Sequence, residues 1–557
     1  MGALAASATC PREARLKTLG CSLLTLAALS GAPAALAQEG DAHHHGLGQL
    51  GRVTFPVSCT PEAQRRFEHA VAVLHSFWWE EGDRAFDAVL ASDPSCAMAY
   101  WGKALNAWGN PFAGGPSGPA LDRGAEAARK ASSRTARTPR EQGFIAATAA
   151  LYRNAPQSAN AVRLQAYADT MARLYRDFPE DTEVAIYHSL AQVATAPRTD
   201  TTFARQRQAA AILDPLFARY PDHPGLAHYV IHTTDSPRMA PLGLDAARRY
   251  ARIAPAAPHA QHMPSHIFVR LGLWDETVAS NWESYRAGIA HARASGASGA
   301  SGHELHALDY AVYGYLQRGQ DSAARAAVAT AQKTHVVASS QRMLVGDYNR
   351  VAMAARVPLE RSDWKSAAAF PPSMPGGTVT AMLSHFTRAL GAARSGQVAA
   401  SAADVAALDT TASQLAAQGE SYWARVASIK RDAAAAWVRF AEGDTSAALS
   451  LARAAADSEE VTDKHPVTPA ELLPAAELLG DMLLATGRYG EARKAYEATL
   501  LREPRRARSL FGAARAAELG GDRAGAKAGY REFLELMSKA DGGRPELATA
   551  RAFEKHR

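Results

Sequence analysis

Small and aromatic side chains recur at a spacing of 34 residues near the end of the chain. Each copy of the pattern combines a turn glycine, a small residue and an aromatic residue at fixed distances: Gly487, Ala492 and Tyr496, then Gly521, Ala526 and Tyr530. Small residues let two helices approach closely, the aromatic ring fills the space between them, and a proline such as Pro504 cannot continue the preceding helix. The pattern therefore predicts pairs of antiparallel helices.

The same spacing marks further units upstream. Pro221 and Pro255 lie 34 residues apart, and Gly272, Gly319 and Gly443 stand where turns between helices are expected. Alanine is abundant and runs of β-branched residues are scarce, which favours helix over strand. We therefore predict an all-α chain.

This repeat resembles the tetratricopeptide (TPR) repeat, a pair of antiparallel helices of 34 residues. The resemblance covers most of residues 60–540 and implies a TPR-like helical-hairpin solenoid, a superhelical array with an extended concave groove. Four segments are also similar to those of an uncharacterised group of exported bacterial TPR proteins: Ser58-Cys59, His75–Trp79, Asp93–Gly102 and His262–Phe268.

Residues 1–37 have the features of a secretory signal peptide. A basic stretch with Arg12, Arg15 and Lys17 precedes a short apolar segment, Leu19–Leu29, and Ala35-Leu36-Ala37 forms a cleavage site of small residues. We predict a periplasmic or secreted protein that carries no membrane span once this segment is removed.

Breaks in composition divide the chain further. We assign residues 1–37 to the signal peptide and residues 38–59, which include His43–His45, to an N-terminal arm. We assign residues 60–366 to a TPR-like array with a histidine-rich groove and residues 381–557 to C-terminal TPR repeats. A Pro/Gly-rich break at residues 367–380 separates these two arrays.

The net charge and its distribution narrow the class of partner that the protein binds. The net charge is +6 over 557 residues and the basic residues are spread along the chain, which argues against nucleic acid as a partner.

Cys59 and Cys96 are the cysteines that remain after the signal peptide. Two cysteines in an oxidising compartment usually pair, so we predict a Cys59–Cys96 disulfide; the alternative is two buried free thiols.

Histidines are concentrated in the middle of the chain, where eight of the 19 lie between residues 228 and 306. His228 and His232 are four residues apart, and His262 and His266 repeat this pair one 34-residue unit later. Residues at i and i+4 share a helix face, and the TPR resemblance places this face in the concave groove. We predict that six side chains of three successive units converge there as metal ligands: His228, His232, His262, His266, His306 and Asp309.

Converging imidazoles favour a transition metal, zinc or copper first and iron as a further candidate. Six ligands exceed what one tetrahedral zinc ion takes, so either two ions bind or four residues ligate. We interpret the chain as an exported binding protein with a transition-metal site in its groove. Two alternatives stay open: an adaptor that binds a protein or peptide ligand without metal, and a metal-dependent enzyme, including one with a dinuclear centre. The sequence does not decide whether the chain is an enzyme.

Overall fold

A computed structural model of the chain describes residues 48–555, apart from residues 135, 137, 198–199, 338–342 and 373–376. The predicted signal peptide and His43–His45 lie outside the described residues. The described residues form successive helices and no β-strand. An isolated β-bridge joins Ala300 to Val336. The prediction of an all-α, TPR-like helical array is confirmed.

The first ten helices, α1 to α10, lead up to the short helices α11 and α12. A short 3-10 turn, Ala240–Gly243, leads into α10. Their bounds are α1 Pro61–His75, α2 Trp79–Ser92, α3 Ala97–Trp108, α4 Gly118–Ser133, α5 Pro139–Tyr152, α6 Asn160–Asp177, α7 Thr182–Ala194, α8 Ala204–Arg219, α9 Pro224–Thr234 and α10 Leu244–Ile253.

The remaining helices continue the array to the end of the described residues. Their bounds are α11 Pro258–His262, α12 Pro264–Arg270, α13 Trp274–Ala294, α14 His303–Gln317, α15 Asp321–Lys333, α16 Met343–Glu360, α17 Trp364–Ala368, α18 Gly377–Arg394, α19 Val398–Ala417, α20 Ser421–Ala441, α21 Thr445–Glu460, α22 Ala475–Ala485, α23 Tyr489–Arg502, α24 Ala507–Leu519, α25 Arg523–Leu536 and α26 Pro545–Lys555.

Glycine and proline punctuate the array where the 34-residue spacing placed them. Pro221, Pro255 and Pro504 each stand two residues beyond the end of a helix. The glycines predicted to open turns all have a φ between 66° and 90°, a region that favours glycine because it has no Cβ: Gly272, Gly319, Gly443, Gly487 and Gly521.

The segment from residue 48 to Cys59, assigned from sequence to the N-terminal arm, is packed into the fold. Leu50, Val53 and Phe55 are buried, and the ring of Phe55 lies 5.3 Å from that of Phe67 in α1. The backbone N–H of Arg52 donates to the carbonyl of Asp222 at 3.0 Å. This part of the arm therefore joins the hydrophobic core of the first helices.

The last helices return to the middle of the chain. The indole N–H of Trp274 donates to the carbonyl of Arg505 at 3.1 Å, and the Ala507 N–H donates to the side-chain oxygen of Gln317 at 2.9 Å. Helix α18 begins at Gly377, inside the predicted break at 367–380, and packs against α16, which ends before the break. The described residues therefore form one compact unit, and none of their helices is long and apolar enough to span a membrane.

Candidate metal centre

Four helices bring the predicted histidines together. Helix α9 carries His228 and His232, α11 ends at His262, α12 carries His266, and α14 carries His306. Met263 separates α11 from α12 but keeps right-handed helical backbone angles, and the four-residue spacing places the His262 and His266 rings against each other. The histidines form two groups rather than one.

The first trio consists of His228, His232 and His259, whose ligand atoms lie within 4.8 Å of one another. The Nε2 atoms of His228 and His259 are 3.2 Å apart. His228 is fully buried, whereas His232 and His259 are half-buried. The ring of Phe77 contacts all three imidazoles, with centroid distances of 4.4 to 5.7 Å, and so forms an apolar wall.

The second trio consists of His262, His266 and His306, again with ligand atoms within 4.8 Å, and all three are buried. The Nε2 atoms of His262 and His266 are 3.0 Å apart. On their outer sides, Nδ1 of His262 lies 2.6 Å from Oδ1 of Asn281, and Nδ1 of His266 lies 2.9 Å from Oδ2 of Asp235. The two trios adjoin, because the His259 and His262 centroids are 6.1 Å apart.

Hydrogen bonds assign the protons in the second trio. The amide nitrogen of Asn281 donates to the carbonyl of Thr277 at 2.7 Å, so the amide oxygen faces His262 and must accept from its Nδ1. The Asp235 carboxylate can only accept, so Nδ1 of His266 also carries a proton. Both Nε2 atoms are therefore unprotonated in neutral rings, and two lone pairs face each other.

The same logic applies to His228 in the first trio. Its Nδ1 lies 2.6 Å from the carbonyl oxygen of His75, which can only accept, so its Nε2 is an unprotonated acceptor pointing at His259. In the first trio a proton on Nε2 of His259 can bridge this contact as a hydrogen bond, whereas in the second trio the two lone pairs of His262 and His266 do not attract each other and a cation held between them would satisfy both. Outer hydrogen bonds that orient the ring and leave one nitrogen free are a common feature of metal-ligating histidines.

A third group, which we call the glutamate trio, contains His75, Glu183 and His223. Both imidazoles lie against the carboxylate, at 3.0 Å and 2.9 Å. The second nitrogen of His75 meets the Tyr229 hydroxyl at 3.0 Å, and that of His223 accepts from the Leu226 N–H at 3.3 Å. Every ring nitrogen already has a hydrogen-bond partner, so this group is a hydrogen-bonded network that supports the first trio through His75.

Burial sets the protonation of these groups. It is the largest cause lowering the pKa of all six trio histidines, and it brings the pKa of His228 to about 3. Neighbouring imidazoles lower the pKa further at all of them except His266, where Asp235 opposes the shift. The imidazoles are neutral at pH 7, the form that a metal ion requires.

Asp309, predicted as a ligand, faces away from both trios. Its carboxylate pairs with the guanidinium of Arg356 at 2.9 Å, and both side chains are fully buried. Arg356 continues to the hydroxyl of Thr468 and the carbonyl of Ala470. Asp309 therefore ties α14 to α16 and to the segment before α22, and we leave it out of the ligand set.

The predicted ligand set leaves out His259 and the outer partners of the rings. His259 follows Pro258 and lies outside the i, i+4 pairs, so the sequence leaves open whether it caps the helix or coordinates a metal. Asp235 and Asn281 are 31 and 19 residues from the rings they contact. Their positions depend on how successive helices pack. The motif His75–Trp79 contains both His75 and Phe77, and the sequence identifies it only through the family resemblance.

The predicted cysteine pair lies beside the N-terminal segment. The Cys59 and Cys96 sulfurs are 2.10 Å apart, at disulfide distance. Cys59 precedes α1 and Cys96 caps the start of α3. The bond thus links the packed segment after residue 48 to the second helical hairpin.

No known protein family and no curated protein match the chain. Among solved structures, yeast Tom70 aligns over 89% of this chain and 96% of its own, with 11% identity and a TM-score of 0.27. Naa15/Naa10 bound to HypK-THB aligns over 89% of this chain and 74% of that one, with 10% identity and a TM-score of 0.22. Likenesses this weak say nothing about function.

Proposed function

We propose that this chain is a transition-metal-binding helical repeat protein, with one ion in the first trio and one in the second. The observation that supports the proposal is the pair of unprotonated Nε2 atoms of His262 and His266, which face each other at 3.0 Å while both Nδ1 atoms are engaged as donors. Imidazole-only sites favour zinc or copper, with iron a further candidate.

Elemental analysis and calorimetry on untagged protein test this proposal. We expect about two equivalents of zinc or copper per wild-type chain. The double variant His262→Ala/His266→Ala should lose one equivalent, and His228→Ala/His259→Ala the other, with helix content unchanged by circular dichroism. His385→Ala is the matched control, because His385 pairs with Asp404 at 2.9 Å, outside both trios.

Two results would contradict the proposal. One is wild-type protein that binds none of zinc, copper and iron. The other is tight binding that survives loss of the histidines in both trios. In either case the adaptor that binds a protein or peptide becomes the better explanation.

A metal-dependent enzyme is the second candidate, favoured by the ligand count and by the exposure of the first trio. Three histidine ligands leave a fourth position on a tetrahedral ion, which in zinc enzymes holds water or substrate. His232 and His259 are half-buried, so this trio is the more accessible one. A substrate-dependent reaction lost in His228→Ala/His259→Ala would support the enzyme; binding without turnover would support a carrier.

We also propose that the protein is exported to the periplasm or beyond. The leader-like sequence of residues 1–37 and the close pair Cys59 and Cys96 support this compartment. Mass spectrometry of protein expressed in bacteria with its leader should find a mature chain that begins at Gln38. A cytoplasmic protein that keeps residues 1–37 would contradict it.

A further inference from the structure

The two trios meet along a boundary with two separate ring contacts. The centroids of His259 and His262 are 6.1 Å apart, and those of His232 and His266 are 6.4 Å apart. Within the second trio, the centroids of His266 and His306 are 6.2 Å apart. Rings of different trios are therefore about as close as two rings that are proposed to share one ion.

Helix α11 fixes the position of one trio against the other. It contributes His259 to the first trio and His262, three residues later on the same helix face, to the second. Sites in which one small ligand joins two metal ions hold these ions about 3.5–4 Å apart. Because the rings on either side of the boundary are so close, the geometry allows two ions to lie at such a separation.

Each trio contains a ring nitrogen that is buried and has no hydrogen-bond partner among the described residues. These atoms are Nε2 of His232 in the first trio and Nδ1 of His306 in the second. A buried polar nitrogen without a partner costs free energy, which an ion bound to it would recover. Both trios, and not only the facing pair of His262 and His266, therefore favour a bound cation.

The charge around the trios favours an anion between two such ions. Six neutral imidazoles supply no negative charge to a pair of zinc(II) or copper(II) ions. Among the described residues, Asp235 is the carboxylate bonded to a ligand ring, and it already pairs with Arg270 at 2.9 Å and lies 3.9 Å from Lys464. Asp309 is paired with Arg356. Two buried dications would therefore need a counterion of their own.

Glu304 does not replace this counterion. It lies in α14 two residues before His306, and its carboxylate accepts the backbone N–H groups of Ser301 and Gly302 at 3.0 and 3.1 Å. A single carboxylate held in this way could offset only a small part of the charge of two dications.

We propose that the two trios form one dinuclear centre, in which both ions bind the same small anion, hydroxide in the resting protein. This inference rests on the proposed function, because it needs an ion in each trio. Three histidines leave one free position on each four-coordinate ion, and the hydroxide forms when a metal-bound water releases a proton to solvent. His232 and His259 are half-buried, so a small ligand can enter from the side of the first trio.

Electron paramagnetic resonance of copper(II)-loaded protein tests the shared ligand. A bridging hydroxide couples the unpaired electrons of two copper(II) ions, so wild-type protein with two bound ions should lose most of the signal that two isolated ions give. The variants His262→Ala/His266→Ala and His228→Ala/His259→Ala are the matched controls. Each should bind one copper ion and show the full signal of one isolated ion, and acid denaturation of wild-type protein should restore the signal of both ions.

Azide, a small anion that can take the place of hydroxide, provides a second measurement. An optical titration of copper-loaded wild-type protein should end at one azide for every two copper ions. In each of the two variants it should end at one azide for every copper ion, because a single ion has no neighbour with which to share the ligand.

The outcomes separate this inference from the proposed function. Two bound copper ions with the full signal of two isolated ions would overturn the shared ligand and leave the proposed function intact. One copper ion per wild-type chain would also overturn it, and so would a signal that stays low after denaturation, because copper(I) would then explain the loss. Wild-type protein that binds no metal would contradict the proposed function itself.

Discussion

The hydrogen bonds on the outer side of each ring decide which nitrogen is free. At His262 the deciding partner is Asn281, whose amide is fixed by the carbonyl of Thr277. At His266 the partner is Asp235, whose pKa lies well below its usual range because Lys464 and Arg270 outweigh the effect of burial. A sequence with the same histidines and different outer partners would offer the wrong tautomers to a metal.

Asn281 therefore provides a residue-scale test. Replacing Asn281 with Leu removes the acceptor for Nδ1 of His262, and the ring loses the bond that fixes its orientation and tautomer. We expect zinc affinity at the second trio to fall about 10- to 100-fold, with the first trio unchanged. Asn281→Asp keeps an acceptor at the same place and should bind more tightly than Asn281→Leu in zinc calorimetry. Equal affinity in wild type and Asn281→Leu would contradict the assigned role.

At the scale of helices, the sequence pattern predicted where helices end and which residues share a helix face, but it did not predict which helices pack against each other. The proline and glycine punctuation predicted where helices end and turn, because these residues act on their own backbone. The i, i+4 spacing predicted that His228 and His232 share a face. Asp309 also fell on the helix that carries His306, but its side chain pairs with Arg356, 47 residues later, which no local pattern reveals.

The Cys59–Cys96 bond carries the element-scale prediction. It closes a loop with a sequence separation of 37 residues that contains α1 and α2. Such a loop corresponds to about 3–4 kcal/mol of unfolding free energy in the chain-entropy account. We expect reductant, or the variant Cys59→Ala/Cys96→Ala, to lower the denaturant midpoint of metal-free protein accordingly.

Thiol titration provides the complementary measurement for the same bond. Unfolded, unreduced mature protein should contain no free thiol, and two free thiols would exclude the disulfide. An unchanged denaturant midpoint on reduction would show that the bond, although formed, does not constrain the unfolded chain as expected.

At the scale of the whole molecule, contacts between residues far apart in the sequence join distant helices, and no repeat pattern encodes these contacts. Trp274 and Arg505 are 231 residues apart in sequence, and Arg270 reaches Asp463 across 193 residues. Repeat periodicity describes how each unit contacts its neighbour. It does not indicate which distant units meet, so these long-range contacts could not be foreseen from the sequence.

Closure also buries an unusual number of imidazoles, and their burial couples stability to pH. Burial lowers the pKa of nine described histidines, to about 3 at His228 and about 4 at His188: His75, His188, His228, His232, His259, His262, His266, His303 and His306. In the unfolded chain each would titrate near its reference pKa of about 6.5. The unfolded state therefore takes up more protons as pH falls below that value.

We expect metal-free protein to lose stability as pH falls from about 7 to about 5.5, by about 1.4 kcal/mol per pH unit for each histidine protonated only in the unfolded state. Glu459 acts in the opposite sense, because its folded pKa of about 8 exceeds the unfolded value, but the histidines outnumber it. Urea midpoints across this range measure the slope. The variant Glu459→Gln should steepen the decline by removing the opposing proton uptake, and a midpoint that stays constant or rises on acidification would show that the buried histidines are not held neutral by the fold.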